Sequence, residues 1–303
     1  QIIRRIKGIE LKRLNLVFPI LAVALILSLF GCGGTSSSPS EGVFVSKWGT
    51  EGPGAGEFYE PTGVAVGSDG SVYVADWGNN RIQKFTSAGV FVNKWGTPGE
   101  GDGQFDFPIG VAVASDGSVY VVDADNYRIQ RFNSEGVFVS KWGLEGEGDG
   151  DGEFVWPLGI AVAPDGSVYV VDQGNNRIHR FTSEGVFVSK WGTRGEGDGQ
   201  FYSPGGIAVA SDGSIYVADS YNSCIQKFTS EGVSVGKWGT YGEGYGQFYR
   251  PWGVAVASDG SVYVADTENN RIQKFTSEGV FVSKWGTYGT GNGEFIDPKD
   301  VAV

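Results

Sequence analysis

Lys-Trp-Gly recurs along this chain, with tryptophans at 48, 95, 142, 191, 238 and 285, spaced 47, 47, 49, 47 and 47 residues apart. A fixed period of this length restricts a chain to a solenoid, a propeller or an array, because one such unit cannot bury its own apolar face. Each unit holds four short apolar runs. In the second copy they are residues 110–113, 118–122, 128–132 and 137–142. Asp-Gly and Glu-Gly between β-branched runs are hairpin signals. Four antiparallel strands per unit match a propeller blade. Residues 72–75 run apolar without alternation, as expected of a strand covered on both faces.

Composition agrees with an all-β fold. Glycine supplies 50 of 303 residues, aromatics 14%, and methionine is absent. Such a chain is a poor helix former. Glycine at every third position is not seen, which excludes collagen. The 40% apolar content excludes disorder of the whole chain.

The unit Pro-x-Gly-Val-Ala-Val…Asp-Gly-Ser-Val-Tyr-Val-Ala-Asp…Asn-Arg-Ile-Gln-Lys-Phe resembles the NHL repeat. It stands in near-complete form at 61–85, 108–132, 157–181, 204–228 and 251–275. The Gly-His…Trp-Asp signature of WD40 repeats and the Gly-Gly pair of kelch repeats are missing. First strands are expected near 63, 110, 159, 206, 253 and 300, second and third strands five times each, and fourth strands six times. That makes 22 of the 24 strands of a six-bladed propeller with an incomplete sixth blade, residues 43–48 forming its outer strand. Six blades is also what the resemblance implies. A gap or splayed seam between the two ends is expected.

Residues 1–31 have a different character. A basic stretch (Arg4, Arg5, Lys7, Lys12, Arg13) precedes the apolar run 16–30 and then Leu29-Phe30-Gly31-Cys32. This is the pattern of a secretory signal, and its end resembles the lipobox of prokaryotic lipoproteins. That resemblance implies cleavage before Cys32 and lipidation of its thiol. The alternatives are an uncleaved anchor through 16–30, short of the roughly 20 residues a bilayer needs, and cleavage to a soluble exported chain. Residues 32–41 read as a flexible tether, and 42–303 as the propeller. The expected location is the cell envelope or cell surface, with a membrane as one partner. Outside residues 1–31 stand 18 basic and 34 acidic residues, a balance unsuited to nucleic-acid backbones. A monomer is expected.

Repetition separates scaffold from site, since a residue present in every blade serves the fold. Asp76, Asp123, Asp172, Asp219 and Asp266 are each followed five residues later by Arg81, Arg128, Arg177, Cys224 and Arg271. An Asp–Arg pair across the turn is expected in four blades. In the fourth, Asp219 should lack that partner and Cys224 should be an inert packed thiol. His179 replaces a repeated Gln and is expected on the surface or in packing. The Gly/Glu/Asp-rich loops, such as residues 145–153, read as connections; calcium in them is a minor alternative. No cofactor is expected.

Blades vary at two loops that should share one edge of the ring. The candidate partner-binding residues there are Trp77, Phe107, Tyr127, Trp156, Tyr221, Arg250 and Trp252. Exposed aromatics of this kind suit a protein, peptide or carbohydrate partner. Three functions stay open. The first is a lipid-anchored binding scaffold. The second is a propeller enzyme at the channel mouth, a lyase or a calcium-dependent lactonase-like hydrolase, as some relatives of NHL propellers are. The third is the sensor domain of a larger envelope protein. No nucleophile–base constellation is visible in the sequence, and no catalytic residue is nominated.

Overall fold

The computed structural model describes residues 42–143, 148 and 150–303, with the backbone of Ala24–Leu25. The expected signal segment, Cys32 and the tether otherwise lie outside the described residues. Among those, no helix is long and apolar enough to cross a membrane.

Five antiparallel four-stranded sheets form five blades. The first comprises Pro61–Val66, Val72–Asp76, Arg81–Phe85 and Phe91–Trp95, paired in that order. The inner strands of the other four are Pro108–Val113, Pro157–Val162, Pro204–Val209 and Pro251–Val256. Asp-Gly turns join first strands to second: Gly117 N donates to Ala114 O at 2.9 Å, and Gly117 takes a φ of 82° that a side chain resists. Second strands are buried along their whole length, as their unbroken apolar runs predict.

The core lies between blades. Val122 and Ile129 of the second blade pack with Ile160, Val168 and Val170 of the third. Burying each such side chain contributes about 2 kcal/mol. The repeated tryptophan is the wedge at the periphery. Trp95 ends the first blade and packs on Phe132 of the second, ring centroids 5.9 Å apart; Trp142 meets Phe181 and Trp191 meets Phe228, each at 6.0 Å. The indole also lies flat on the next blade's last turn. A Cβ on Gly136 would stand 2.5 Å from Trp95, so this glycine is dictated by a neighbour 41 positions away.

The blade number corrects the sequence reading: among the described residues there are five blades, not six. Residues 43–48 form no strand, although they repeat the outer-strand motif. Val301–Ala302 forms a two-residue strand lodged beside the inner strands Pro251–Val256 and Pro61–Val66. The reason is connectivity. Inner and outer strands of a blade never touch, and two middle strands must join them; none lies between these two segments. The seam is held otherwise. Lys47 Nζ donates to Thr290 O at 2.7 Å, the Trp48 ring packs tilted against Phe85 with centroids 6.3 Å apart, and Val43 and Val45 stay exposed.

Candidate site at the channel mouth

The mouth is built on a buried carboxylate in each blade. Asp76 accepts at Oδ1 from Tyr59 N (2.8 Å) and at Oδ2 from Arg81 Nε (2.6 Å), Asn79 Nδ2 (2.9 Å) and Gln83 Nε2 (3.0 Å). Arg81 in turn donates to Gly54 O and Glu57 O, both at 2.7 Å. The expected Asp–Arg pairs are present at Asp123–Arg128 (2.7 Å), Asp172–Arg177 (2.8 Å) and Asp266–Arg271 (2.6 Å). The Gly-rich loop therefore supplies carbonyls to a guanidinium. One side chain of each loop folds back on it: Glu57, Glu153 and Glu294 each accept a loop N–H, and Gln104, Gln200 and Gln247 do the same elsewhere. An amide serves as well as a carboxylate, so the charge is not what shapes the loop. Among the described residues no three His, Cys, Asp or Glu side chains converge as a metal site.

This knot ties together the two variable loops. Gly78 N donates to Tyr59 O, Ala124 N to Phe107 O and Tyr221 N to Tyr202 O, which puts both loops at one edge as expected. The residue before each proline takes a left-handed backbone: Glu60 (48°), Phe107 (57°), Trp156 (58°), Ser203 (54°), Arg250 (50°) and Asp297 (46°). Each such residue costs about 1–2 kcal/mol. The neighbouring blade holds it in place: Asn80 Oδ1 accepts from Phe107 N (3.0 Å), Asn176 from Ser203 N (2.8 Å) and Asn270 from Asp297 N (2.9 Å). The framework thus presents one strained, variable side chain per sector.

The structure brings the candidates together in pairs across blade seams. Trp77 meets Phe107 with ring centroids 4.8 Å apart. Arg250 lies over Tyr221 at 4.6 Å and reaches Glu268 at 3.4 Å; Tyr221 also meets Tyr202 at 5.1 Å. Lys299 covers Trp252 at 5.7 Å. Tyr127 stands at the position that Asn80 holds in the first blade, and Trp156 at that of Phe107; both are half-buried. Tyr221 and Arg250 are exposed, and the other rings are partly covered. On the same edge Asp125 is pushed up to about 6 by burial and by Asp106 and Asp123 beside it.

His179 lies elsewhere, fully buried in the third blade between Phe154 (5.2 Å) and Phe181 (5.8 Å). Its Nε2 approaches Asp172 Oδ2 to 3.3 Å without the alignment of a hydrogen bond. Burial lowers its pKa, so it is a neutral packing group. Burial likewise pushes the Cys224 thiol up to about 12, leaving it protonated and inert.

Sequence reasoning missed the residue at the floor of the mouth. A small cavity of about 30 Å³ there is lined by Thr62, Ile109, Leu158, Trp252, Lys299 and Asp300, among glycines of the inner strands. Those glycines are obligatory: a Cβ on Gly63 would lie 2.3 Å from Ile109 O of the next blade. Five copies read Pro-x-Gly, whereas the sixth reads Pro298-Lys299-Asp300. That break was the available signal. Asp300 stands at the seam, where it accepts from Val64 N (3.0 Å) and Val301 N (2.9 Å) and so links the first inner strand to the last. It faces the lumen and keeps some exposure, but protein surrounds it, and desolvation pushes its carboxyl up to about 7. The mouth thus offers aromatic faces, the cations Arg250 and Lys299, and two carboxyls, Asp125 and Asp300, that burial raises toward neutrality.

The NHL repeat profile matches residues 58–85, 105–132, 154–181, 201–228 and 248–275. No curated protein matches the chain in sequence. Solved structures share its fold. A virginiamycin B lyase from Staphylococcus aureus aligns with a TM-score of 0.54 and 20% identity, over 77% of this chain and 71% of that one. A chain of a nidogen/laminin complex aligns at 0.55 and 15%, over 74% and 81%. A gluconolactonase from Xanthomonas campestris aligns at 0.54 and 18%, over 73% and 74%. Identities this low carry the architecture alone. Five matched repeats, one per blade of the structure, make this chain an NHL-repeat β-propeller.

Proposed function

We propose that this propeller is a recognition scaffold whose channel-mouth face engages a protein, peptide or carbohydrate partner, exported and held at the membrane by Cys32. One observation carries the reading: the framework recurs from blade to blade with few exceptions, such as Cys224 and His179, while the side chains presented by the left-handed residues differ in every sector and include Phe107, Trp156 and Arg250. A fold does not fix a function, but a rigid frame with variable aromatic and charged presentation suits recognition. A propeller of the same architecture occurs in a nidogen/laminin complex. Capture from the native envelope by the wild-type chain, with Trp156→Ala and Trp252→Ala as paired variants, tests it. Loss of the same bound species in both variants supports the mouth. Retention in both places the partner elsewhere.

A second reading, an enzyme acting at the mouth, is favoured by Asp300. It is the carboxyl of the channel floor and it titrates near neutrality, where general acid–base catalysis is most effective. Two structural neighbours are a lyase and a gluconolactonase. Turnover of a lactone or a streptogramin that Asp300→Asn abolishes would select this reading over the scaffold.

A further inference from the structure

The fourth blade contains a guanidinium site without its guanidinium. In the second blade Arg128 donates from Nε to Asp123, from one terminal nitrogen to Glu100 O, and from the other to Gly101 O and Gln104 O, the last two at 2.9 Å. In the fifth, Arg271 contacts Asp266, Glu243 O (2.6 Å), Gly244 O (2.8 Å) and Gln247 O (2.9 Å) in the same way. The fourth blade places Asp219 and the carbonyls of Glu196, Gly197 and Gln200 at those positions, but Cys224 stands where the arginine does. Its Sγ is 3.9 Å from Asp219 Oδ2.

The loop has not closed over the missing group. Gly195 N still donates to Phe201 O (3.0 Å), Gln200 N to Gly197 O (3.0 Å), Gly197 N to Gln200 Oε1 (3.0 Å) and Gly199 N to Gln226 Oε1 (2.9 Å). The counterparts in the second blade are Gly99 N to Phe105 O (3.0 Å), Gln104 N to Gly101 O (3.1 Å), Gly101 N to Gln104 Oε1 (2.9 Å) and Gly103 N to Gln130 Oε1 (2.9 Å). Asp219 is fully buried and keeps neutral partners only, Asn222 Nδ2 (2.8 Å), Gln226 Nε2 (2.9 Å) and Tyr202 N (2.8 Å), besides the thiol. Lys237 caps one acceptor from outside, reaching Glu196 O at 3.1 Å and Asp198 at 3.0 Å.

We infer that the fourth blade binds a small planar cation of the guanidinium class, free guanidinium or a short alkylguanidinium, between Asp219 and the carbonyls of Glu196, Gly197 and Gln200. Lys237 reaches only the Glu196 carbonyl, from outside, so the buried carboxylate lacks the cation that is bonded directly to it in the other blades, and four sister sites in this chain show that a planar fork of N–H donors satisfies carboxylate and carbonyls together. The inference is independent of what the channel mouth binds.

Thermal unfolding of the full chain in low millimolar guanidinium chloride tests this, against potassium chloride and urea at equal concentration. A specific site gives a rise in Tm of about 3 °C once the ion exceeds its dissociation constant about tenfold, growing with the logarithm of concentration. Cys224→Ala keeps the acceptors and must retain the rise. Cys224→Arg fills the site and must abolish it while raising the starting Tm. Asp219→Asn removes the charge and must weaken it. No rise in the wild type overturns the inference, as do equal rises with potassium or an undiminished rise in folded Cys224→Arg.

Discussion

Asp300 makes stability depend on pH in a direction opposite to that of most carboxylates. Its ordinary value is 3.8, and desolvation at the seam raises it to about 7 in the folded ring. Over that interval the folded chain holds a proton that the unfolded chain has released. The stabilisation is therefore complete below about pH 4 and is lost as pH rises through about 7. The full displacement corresponds to about 4 kcal/mol; a lumen open to water screens the charge and reduces it to about 2 kcal/mol. Asp125, Asp106, Asp123 and Asp219 are also raised by burial and act with the same sign, so the wild-type slope alone does not isolate Asp300. Asp300→Asn does. Its carboxamide keeps the shape and one acceptor for Val64 or Val301, and it cannot ionise. Urea unfolding of both proteins at about pH 5 and about pH 9 gives the double difference. Part of the effect is already lost by about pH 5, so the variant should lose about 1 kcal/mol less than the wild type between the two. Equal losses would show that the Asp300 carboxyl is solvated like a surface group and that the seam does not enclose it.

Arg128→Ala strands Asp123 and three loop carbonyls, so it should cost about 3–5 kcal/mol in chemical unfolding, whereas Cys224→Ala, which strands nothing further, should cost about 1 kcal/mol. Cys224, pushed up to about 12, should resist an aromatic disulfide reagent at neutral pH in the folded chain and react at once in denaturant. Calorimetry with millimolar calcium should show no heat, because the loop glutamates already accept N–H bonds that glutamine makes equally well; a saturable signal would restore the calcium alternative.

How much of this was legible follows the reach of each interaction. The blades were readable because their determinants are local: an Asp-Gly turn, an apolar run and the next turn lie within a few positions. The Asp–Arg pair was readable because its partners sit five residues apart across one turn. The carbonyl cage around each arginine was not, since backbone oxygens leave no mark in the sequence. Residues 43–48 show the limit most plainly. They carry the same Gly-Val-Phe-Val pattern as residues 89–92, which enter the outer strand Phe91–Trp95, yet form no strand. An outer strand exists only through its ladder to the third strand of its blade, and strand preference alone does not supply one. Counting motifs therefore gave six blades where counting ladders gives five.

The same repetition that made the fold readable also marks where to look for function, though through its breaks rather than its consensus. Each break leaves a partner that the consensus would have satisfied or excluded. Cys224 leaves Asp219 and three carbonyls without a guanidinium. Asp300 puts a carboxyl where glycine is required elsewhere, and it fits only because the seam leaves the room that every closed blade junction denies; a Cβ on Gly110 would stand 2.3 Å from Leu158 O. The two breaks lie in the fourth blade and at the seam, in environments that burial makes electrostatically costly. Substituting the consensus residue at the first, Cys224→Arg, should therefore stabilise it, whereas Asp300→Gly would relieve the buried carboxyl but strand Val64 N and Val301 N. A chain that tolerates both costs is one whose framework, repeated five times, has stability to spare for sites that the repeat itself does not need.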